Sequence, residues 1–269
     1  MSTELAQRVA ANRFWYHTIE LAPGVVTPGH FDIRGVVDRI PWPELRGKRC
    51  LDVGTFDGFY AFEMERRGAS EVVAIDIDDP AEFDFMPRAA PTFQPGEELG
   101  GSGFRIAAEA LGSQVERIGM SVYDLTPDAV GRFDVVFCGT LLQHLRDPLA
   151  ALLAMHSVCA GRLLTVERID TFTSVVLPRL PVQRIIGNRL TWSMPNAAGH
   201  RALVHTAGFD IEKAALLSKP HGVGYGMGGH PRKLQARARR LAEDLGRRRL
   251  TGSTDPPFSA VLAHPATTA

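Results

Sequence analysis

Short apolar runs alternate along the chain with stretches whose apolar residues recur at helical spacing. RCLDVG (49–54), EVVAIDI (71–77), VERIGMSV (115–122), FDVVFCGT (133–140) and GRLLTVERI (161–169) read as strands. Hydrophobicity within them is nearly continuous, as expected of strands covered on both faces of a parallel sheet. Helices are expected between them, over about 58–68, 103–112, 147–158 and 196–207. This alternation predicts βαβ units and an α/β, doubly wound, Rossmann-like sheet with helices on both faces. Two later runs, 210–218 and 258–265, can close the sheet as a pair.

The flanking segments divide the chain. Residues 1–45 precede the first sheet strand and hold Trp15, Tyr16, His17, His30 and Trp42. So aromatic a segment is expected to pack as a cap on the domain formed by 46–269. Residues 80–101, rich in Pro, Gly and Phe without a period, read as a loop. Residues 219–257 read as a basic insertion before the last strand. There, 231–250 carries eight basic residues against Glu243 and Asp244, with Leu234, Leu241 and Leu245 expected on one packed helical face. Such a helix can face RNA, an anionic surface or only solvent.

Composition narrows the classes. Thirty basic and thirty acidic residues cancel, so no global field draws in nucleic acid, and tRNA binding would have to rest on 231–249. Three scattered cysteines fit a reducing, cytoplasmic setting and neither a disulfide framework nor a zinc site. No apolar run is long enough to span a bilayer.

The chemistry concentrates in Asp52-Val53-Gly54-Thr55-Phe56-Asp57-Gly58, a turn between the first strand and a helix. Glycine is needed there for tight bending and for close approach of a ligand to the backbone. Asp76 ends the next strand, where a carboxylate can accept hydrogen bonds from both hydroxyls of a ribose. A dinucleotide site would favour G-x-G-x-x-G; the D-x-G-x-x-x-G found here, with Asp52 near the ligand, disfavours a pyrophosphate. It suits the cationic amino-acid end of S-adenosylmethionine (SAM).

With these features in hand, the chain resembles the class I SAM-dependent methyltransferases similar to the bacterial tRNA wobble-uridine 5-oxyacetic-acid enzyme. The words that carry the likeness are WYHTIEL (15–21), TPG (27–29), 45–77, LGSQVERIGMSVYDL (111–125), 131–152 and WSMPNAAGHRALVHTAGF (192–209). The resemblance implies a seven-stranded, mostly parallel sheet with the last strand antiparallel and SAM across the strands' carboxyl ends. It implies Gly54, Phe56 and Gly58 around the methionine part, Asp76 and Ile77 at the ribose, Val122 and Tyr123 flanking the adenine, and Cys138 and Gly139 beneath the cofactor. Arg34 aligns with a basic residue near the cofactor.

Departures matter equally. A lysine that reads the extra carboxylate of carboxy-SAM corresponds to Pro23, and a tyrosine corresponds to Gln143. About twenty residues precede LAPG where the tRNA enzyme has a long helical extension. Ordinary SAM and a small-molecule acceptor, a hydroxyl, are therefore expected; the alternatives are tRNA wobble-uridine modification and a non-catalytic SAM-binding module. His144, just beyond the fourth strand, is the candidate general base, set against a structural histidine bonded to a loop carbonyl. Glu167, ending the fifth strand, is expected either to orient an acceptor or that histidine, or to pair at the surface with Arg162 or Arg168. His17, His30, Gln143 and Trp192 are candidate substrate contacts. No metal is expected, since no H-x-x-x-H spacing occurs.

Overall fold

A computed structural model of the protein describes residues 2–79, 82–84, 101–187, 190–218, 234–252 and 255–267, with side chains left aside for 2 and 234–241. The chain begins with helix α1 (Ser2–Ala11) and a small hairpin, β1 (Glu20–Ala22) and β2 (Val25–Val26). Five units then build the first half of a sheet: β3 (Arg49–Val53), α2 (Phe59–Arg66), β4 (Glu71–Asp76), α3 (Gly101–Leu111) and β5 (Glu116–Gly119). The second half follows as α4 (Pro127–Val130), β6 (Phe133–Gly139), α5 (Pro148–Val158) and β7 (Cys159–Arg168). A lobe of α6 (Thr171–Val176) and the hairpin β8 (Gln183–Ile185) and β9 (Ser193–Pro195) leads to α7 (Ala197–Thr206) and β10 (Phe209–Ser218). Helix α8 (Leu234–Thr251) and β11 (Pro257–Pro265) finish the chain.

The sheet runs β10-β11-β7-β6-β3-β4-β5. Strands β3 to β7 pair in parallel, while β11 inserts antiparallel between β7 and β10. This is the doubly wound, mostly parallel, seven-stranded architecture with its last strand antiparallel. Each strand predicted from apolar runs is present with boundaries shifted by a few residues. The largest shift is in 115–122, where pairing stops at Gly119 and Val122–Asp124 forms one turn of 3₁₀ helix.

Two cores flank the sheet. One gathers Cys50, Tyr60, Phe137 and Val166 with Trp15, Ile33 and Val37 from the N-terminal segment. The other gathers Leu51, Val136 and Leu163 with Leu152, Met155 and Val204. Cys50, Cys138 and Cys159 are buried thiols, and burial pushes the Cys50 and Cys159 thiols up to about 12. The N-terminal segment packs as expected: Trp15 is buried with its indole N–H on the Val9 carbonyl, and Arg8 ion-pairs with Glu109 of α3.

Side-chain caps start α4, α5, α6 and α7. Asp147 accepts from the Ala150 N–H with Pro148 in the first turn, and Asn196 accepts from Gly199. The basic helix departs from its expected packing. Gly246, rather than Leu245, faces α6, since a β-carbon there would lie 3.0 Å from Thr171 Cγ2; Leu245 is exposed. Arg247 turns back on Glu243 and Asp244. The glycine-rich stretch 221–231, most of loop 80–101 and the side chains of Leu234 and Leu241 lie outside the described residues. Among the described residues, no helix is long and apolar enough to cross a membrane.

Candidate active site

Parallel strands present all their carboxyl ends at one edge, so the turns after β3, β4, β6 and β7 meet there. Gly54 adopts φ +77, and its N–H donates to the Ile75 carbonyl, locking the turn after β3 to β4. A side chain at 54 would sit 3.1 Å from Leu141, and one at 139 would sit 2.9 Å from the Phe137 ring. Both glycines are therefore packed against neighbouring side chains that leave little room for a β-carbon. Among the described residues, the non-glycine residues with positive φ are Phe56 (+51) and Thr140 (+62). Both sit on this edge, where backbone strain tends to be retained for function.

Two carboxyl groups lie next to the turn. The Phe56 N–H donates to Asp76 Oδ2 at 2.6 Å and the Ile77 N–H to Asp76 Oδ1 at 2.8 Å. Burial raises the Asp76 carboxyl to about 6, against the lowering by Phe56 and Arg117. Asp52 is 1% exposed and lies under the turn; burial chiefly, and Asp76 in addition, raise it to about 7. Its Oδ2 is buried without a hydrogen-bond partner. A buried carboxyl with an unsatisfied oxygen beneath the glycine turn is suited to a cationic group above it.

Asp57 holds the N-terminal segment to this turn. Fully buried, it accepts at Oδ2 from the Tyr16 and His17 N–H groups (2.8 and 2.7 Å), and its Oδ1 is 2.5 Å from His17 Nδ1. His17 is thus a buried partner of Asp57, and its ring is committed to anchoring the segment instead of facing a substrate. His30 stays half-buried against Phe14 (4.7 Å between rings), and Phe14 and Tyr16 contact Phe56. These rings make an aromatic wall beside the glycine turn. Arg34 is exposed and doubly bonded to Asp32, so it serves its own segment.

Glu167 is 1% exposed, so the surface-pair expectation fails. Arg162 instead pairs with Glu212. Glu167 Oε1 accepts from the Leu141 and Leu142 N–H groups at 3.0 and 3.1 Å, fixing the loop after β6. That loop carries Gln143 and half-buried His144. His144 Nδ1 meets the Leu190 carbonyl, which only accepts, so Nδ1 carries the proton and Nε2 the lone pair. Gln143 Nε2 lies 3.2 Å from that Nε2. Burial lowers the His144 pKa, which favours the neutral ring. Cys138, next to last in β6, is buried with Sγ 4.0 Å from Glu167 Oε1.

Asp84, from the aperiodic loop, ties the far wall together. Its Oδ2 accepts from Tyr123 Oη (3.0 Å) and the Arg146 N–H (2.6 Å), and its backbone carbonyl from the Trp192 indole. The Trp192 N–H in turn donates to the Gln143 carbonyl at 3.0 Å. Of the residues expected from sequence, Gly54, Phe56, Asp76 and Ile77 meet directly, and Gln143, His144, Trp192 and Tyr123 form a second connected group. Val122 is buried in the turn after β5, beside Tyr123. Asp57 and Asp84 escaped sequence reasoning. Asp57 could have been noticed as a second acid within the glycine turn, whereas Asp84 carries no sequence signal. Among the described residues, no three His, Cys, Asp or Glu side chains group as a metal site would require.

Comparison with known proteins agrees with this arrangement. A family model described as a methyltransferase domain matches residues 31–214. A tRNA U34 carboxymethyltransferase of Pseudomonas aeruginosa is 31% identical over 170 residues, covering 63% of this chain and 47% of its own length. The homologue from Azotobacter vinelandii is 29% identical over the same extent. The chain spans about half the length of these curated relatives. Among solved structures, the N-terminal domain of EvdMO1, crystallised in the presence of SAH and D-fucose, shares the fold with TM-score 0.59 at 18% identity, over 98% of this chain and 97% of its own. A Burkholderia thailandensis 1,6-didemethyltoxoflavin-N1-methyltransferase shares it with TM-score 0.50 at 13% identity, over 82% and 72% respectively.

Proposed function

The chain belongs to the methyltransferase-domain family as a class I SAM-dependent enzyme, and we propose that its acceptor is a small molecule methylated on a hydroxyl. The observation that carries this reading is one sheet edge holding both a glycine cradle with Asp76 and a histidine whose Nδ1 proton is already committed to a carbonyl. When bound, SAM supplies a methyl group on an electrophilic sulfonium.

The chain's own residues then have separable tasks. Gly54 and Gly58 keep the turn open to the methionine part, with Phe56 over it. Asp52 supplies negative potential from below, and Asp76 accepts from the ribose hydroxyls beside Ile77. Val122 and Tyr123 border the adenine, and Cys138 and Gly139 lie beneath. His144 takes the acceptor proton at Nε2, where the acceptor hydroxyl replaces the Gln143 amide. The Leu190 carbonyl keeps the ring in the tautomer this requires. Glu167 is a positioning residue, holding the backbone of 141–142 that carries the histidine. Trp192, Gln143 and His30 line the acceptor side. The structural neighbour crystallised in the presence of SAH and D-fucose suggests sugar hydroxyls as the first acceptors to try.

A second reading, modification of a tRNA wobble uridine, draws on the similarity to the Pseudomonas and Azotobacter tRNA U34 carboxymethyltransferases. One experiment separates the two. The protein is titrated with SAM and carboxy-SAM, then assayed for methyl transfer to a panel of sugars and phenols and to tRNA. Transfer from SAM to a panel member, lost in His144→Ala, supports the first reading. Preference for carboxy-SAM with turnover on tRNA alone overturns it.

A further inference from the structure

The lobe between β7 and α7 presents a surface that the methyl-transfer chemistry leaves unused. Phe172 and Val176, four residues apart on α6, are exposed, Phe172 to 70%. Leu180 and Ile185 follow on the connecting loop and β8, Ile185 at 75%. Leu245 of α8 is also exposed, on the helix that packs against Thr171 and Val175 of α6 through Gly246. Buried Asn196 fixes the lobe's shape. Its side-chain amide donates to the Leu177 and Leu180 carbonyls (3.1 and 2.9 Å), and its Oδ1 accepts from the Val182 N–H. These apolar side chains are therefore held outward on an ordered frame.

Most of the charge around them is basic. Residues 171–209 contain no aspartate or glutamate, and on α8 the carboxylates of Glu243 and Asp244 beside Leu245 lie against Arg247. Arg179, Arg248 and Arg249 are exposed, and Arg184 lies against Asp170 at the start of α6. A large exposed apolar patch is uncommon unless something covers it. A single exposed ring, Phe172, among aliphatic tips does not offer the successive aromatic stacking platforms that single-stranded RNA uses. A second copy across a two-fold axis would bring this lobe and its arginines against themselves, with the α8 carboxylates Glu243 and Asp244 already lying against Arg247.

We propose that this lobe docks the protein onto an anionic lipid bilayer, with Phe172 and Ile185 entering the acyl boundary and the arginines at the headgroups. Trp192 of the acceptor wall is tied to the same lobe through its carbonyl, which accepts from Ile186. Docking therefore brings the acceptor side near the membrane surface. The inference stands independently of which acceptor is methylated.

The test is co-sedimentation of the full chain with phosphatidylcholine vesicles, with and without phosphatidylglycerol, alongside light scattering of the free protein. The expected result is binding only to the anionic vesicles, falling steeply with salt. Phe172→Ser/Ile185→Ser should weaken it by about a hundredfold, roughly tenfold for each side chain. Arg179→Glu should weaken it as well. Both variants should keep wild-type SAM affinity, showing that they fold. Absence of binding to anionic vesicles, equal binding to neutral ones, or full retention by the Ser variant would overturn the proposal. So would a wild-type dimer that the Ser variant turns into monomer.

Discussion

Replacing Asp57 with alanine removes, in one step, the acceptor for two backbone N–H groups and the partner of a buried imidazole. Hydrogen bonds to a carboxylate are worth about 1.5–3 kcal/mol each, and a buried donor left without its partner costs about 1–3 kcal/mol. These contributions overlap, since they share one carboxylate. We therefore expect Asp57→Ala to lose about 3–5 kcal/mol of unfolding free energy in denaturant titration. At roughly 2–4 °C per kcal/mol for a chain of this size, its melting temperature should drop by about 6–20 °C. His17→Ala keeps the carboxylate on the Tyr16 and residue-17 N–H groups and should cost less. The double variant completes a cycle, with an expected coupling of about 1–3 kcal/mol. An Asp57→Ala loss under about 1 kcal/mol, or additivity within about 0.5 kcal/mol, would refute the claim that this pair pins the N-terminal segment to the glycine turn.

Three further outcomes follow from the buried titrating groups. Because Asp52 is raised to about 7, its ionisation destabilises the SAM-free fold as pH rises from the unfolded value of 3.8 through about 7; Asp52→Asn should stabilise the free protein at pH 8, on the order of 4 kcal/mol by melting, yet weaken SAM binding. A cationic ligand lowers that carboxyl again, so calorimetry in buffers of different ionisation heat should show proton release on SAM binding near pH 6.5 and none near pH 8.5; proton uptake would contradict the assignment. As a general base held below its ordinary 6.5, His144 should give turnover that is flat at neutral pH and falls only as pH drops through a value under 6.5; His144→Ala should lose about a hundredfold or more in kcat, and unchanged turnover would remove its role.

The sheet was legible because its strands are covered on both faces, so VVFC and VVAI stand out as unbroken apolar runs. The meeting of the glycine turn with Asp76 is legible because both stand at the carboxyl ends of adjacent parallel strands. Charge alone offers Glu167 as a surface partner of Arg162 or Arg168, but its position decides otherwise. It lies between Val166 and Ile169 at the end of a strand buried on both sides, and its partners are backbone N–H groups that no pattern reveals. Leu245 was assigned to a packed face on periodicity alone, whereas the close approach of α8 to α6 selects Gly246. Asp84 depends on where an aperiodic loop returns to the fold, which local spacing does not encode. The pairing of Asp57 with His17 joins residues forty positions apart and has the same origin.

The most direct test of the central claim, that SAM sits on the strand edge at Asp76, is calorimetric titration of SAM into wild type and Asp76→Ala. The account predicts one site per chain in the wild type. Loss of the ribose acceptor, two hydrogen bonds to a charged group, should weaken binding by about a hundredfold or more in the variant, with its melting transition still cooperative. Wild-type affinity in a folded Asp76→Ala protein would contradict the account.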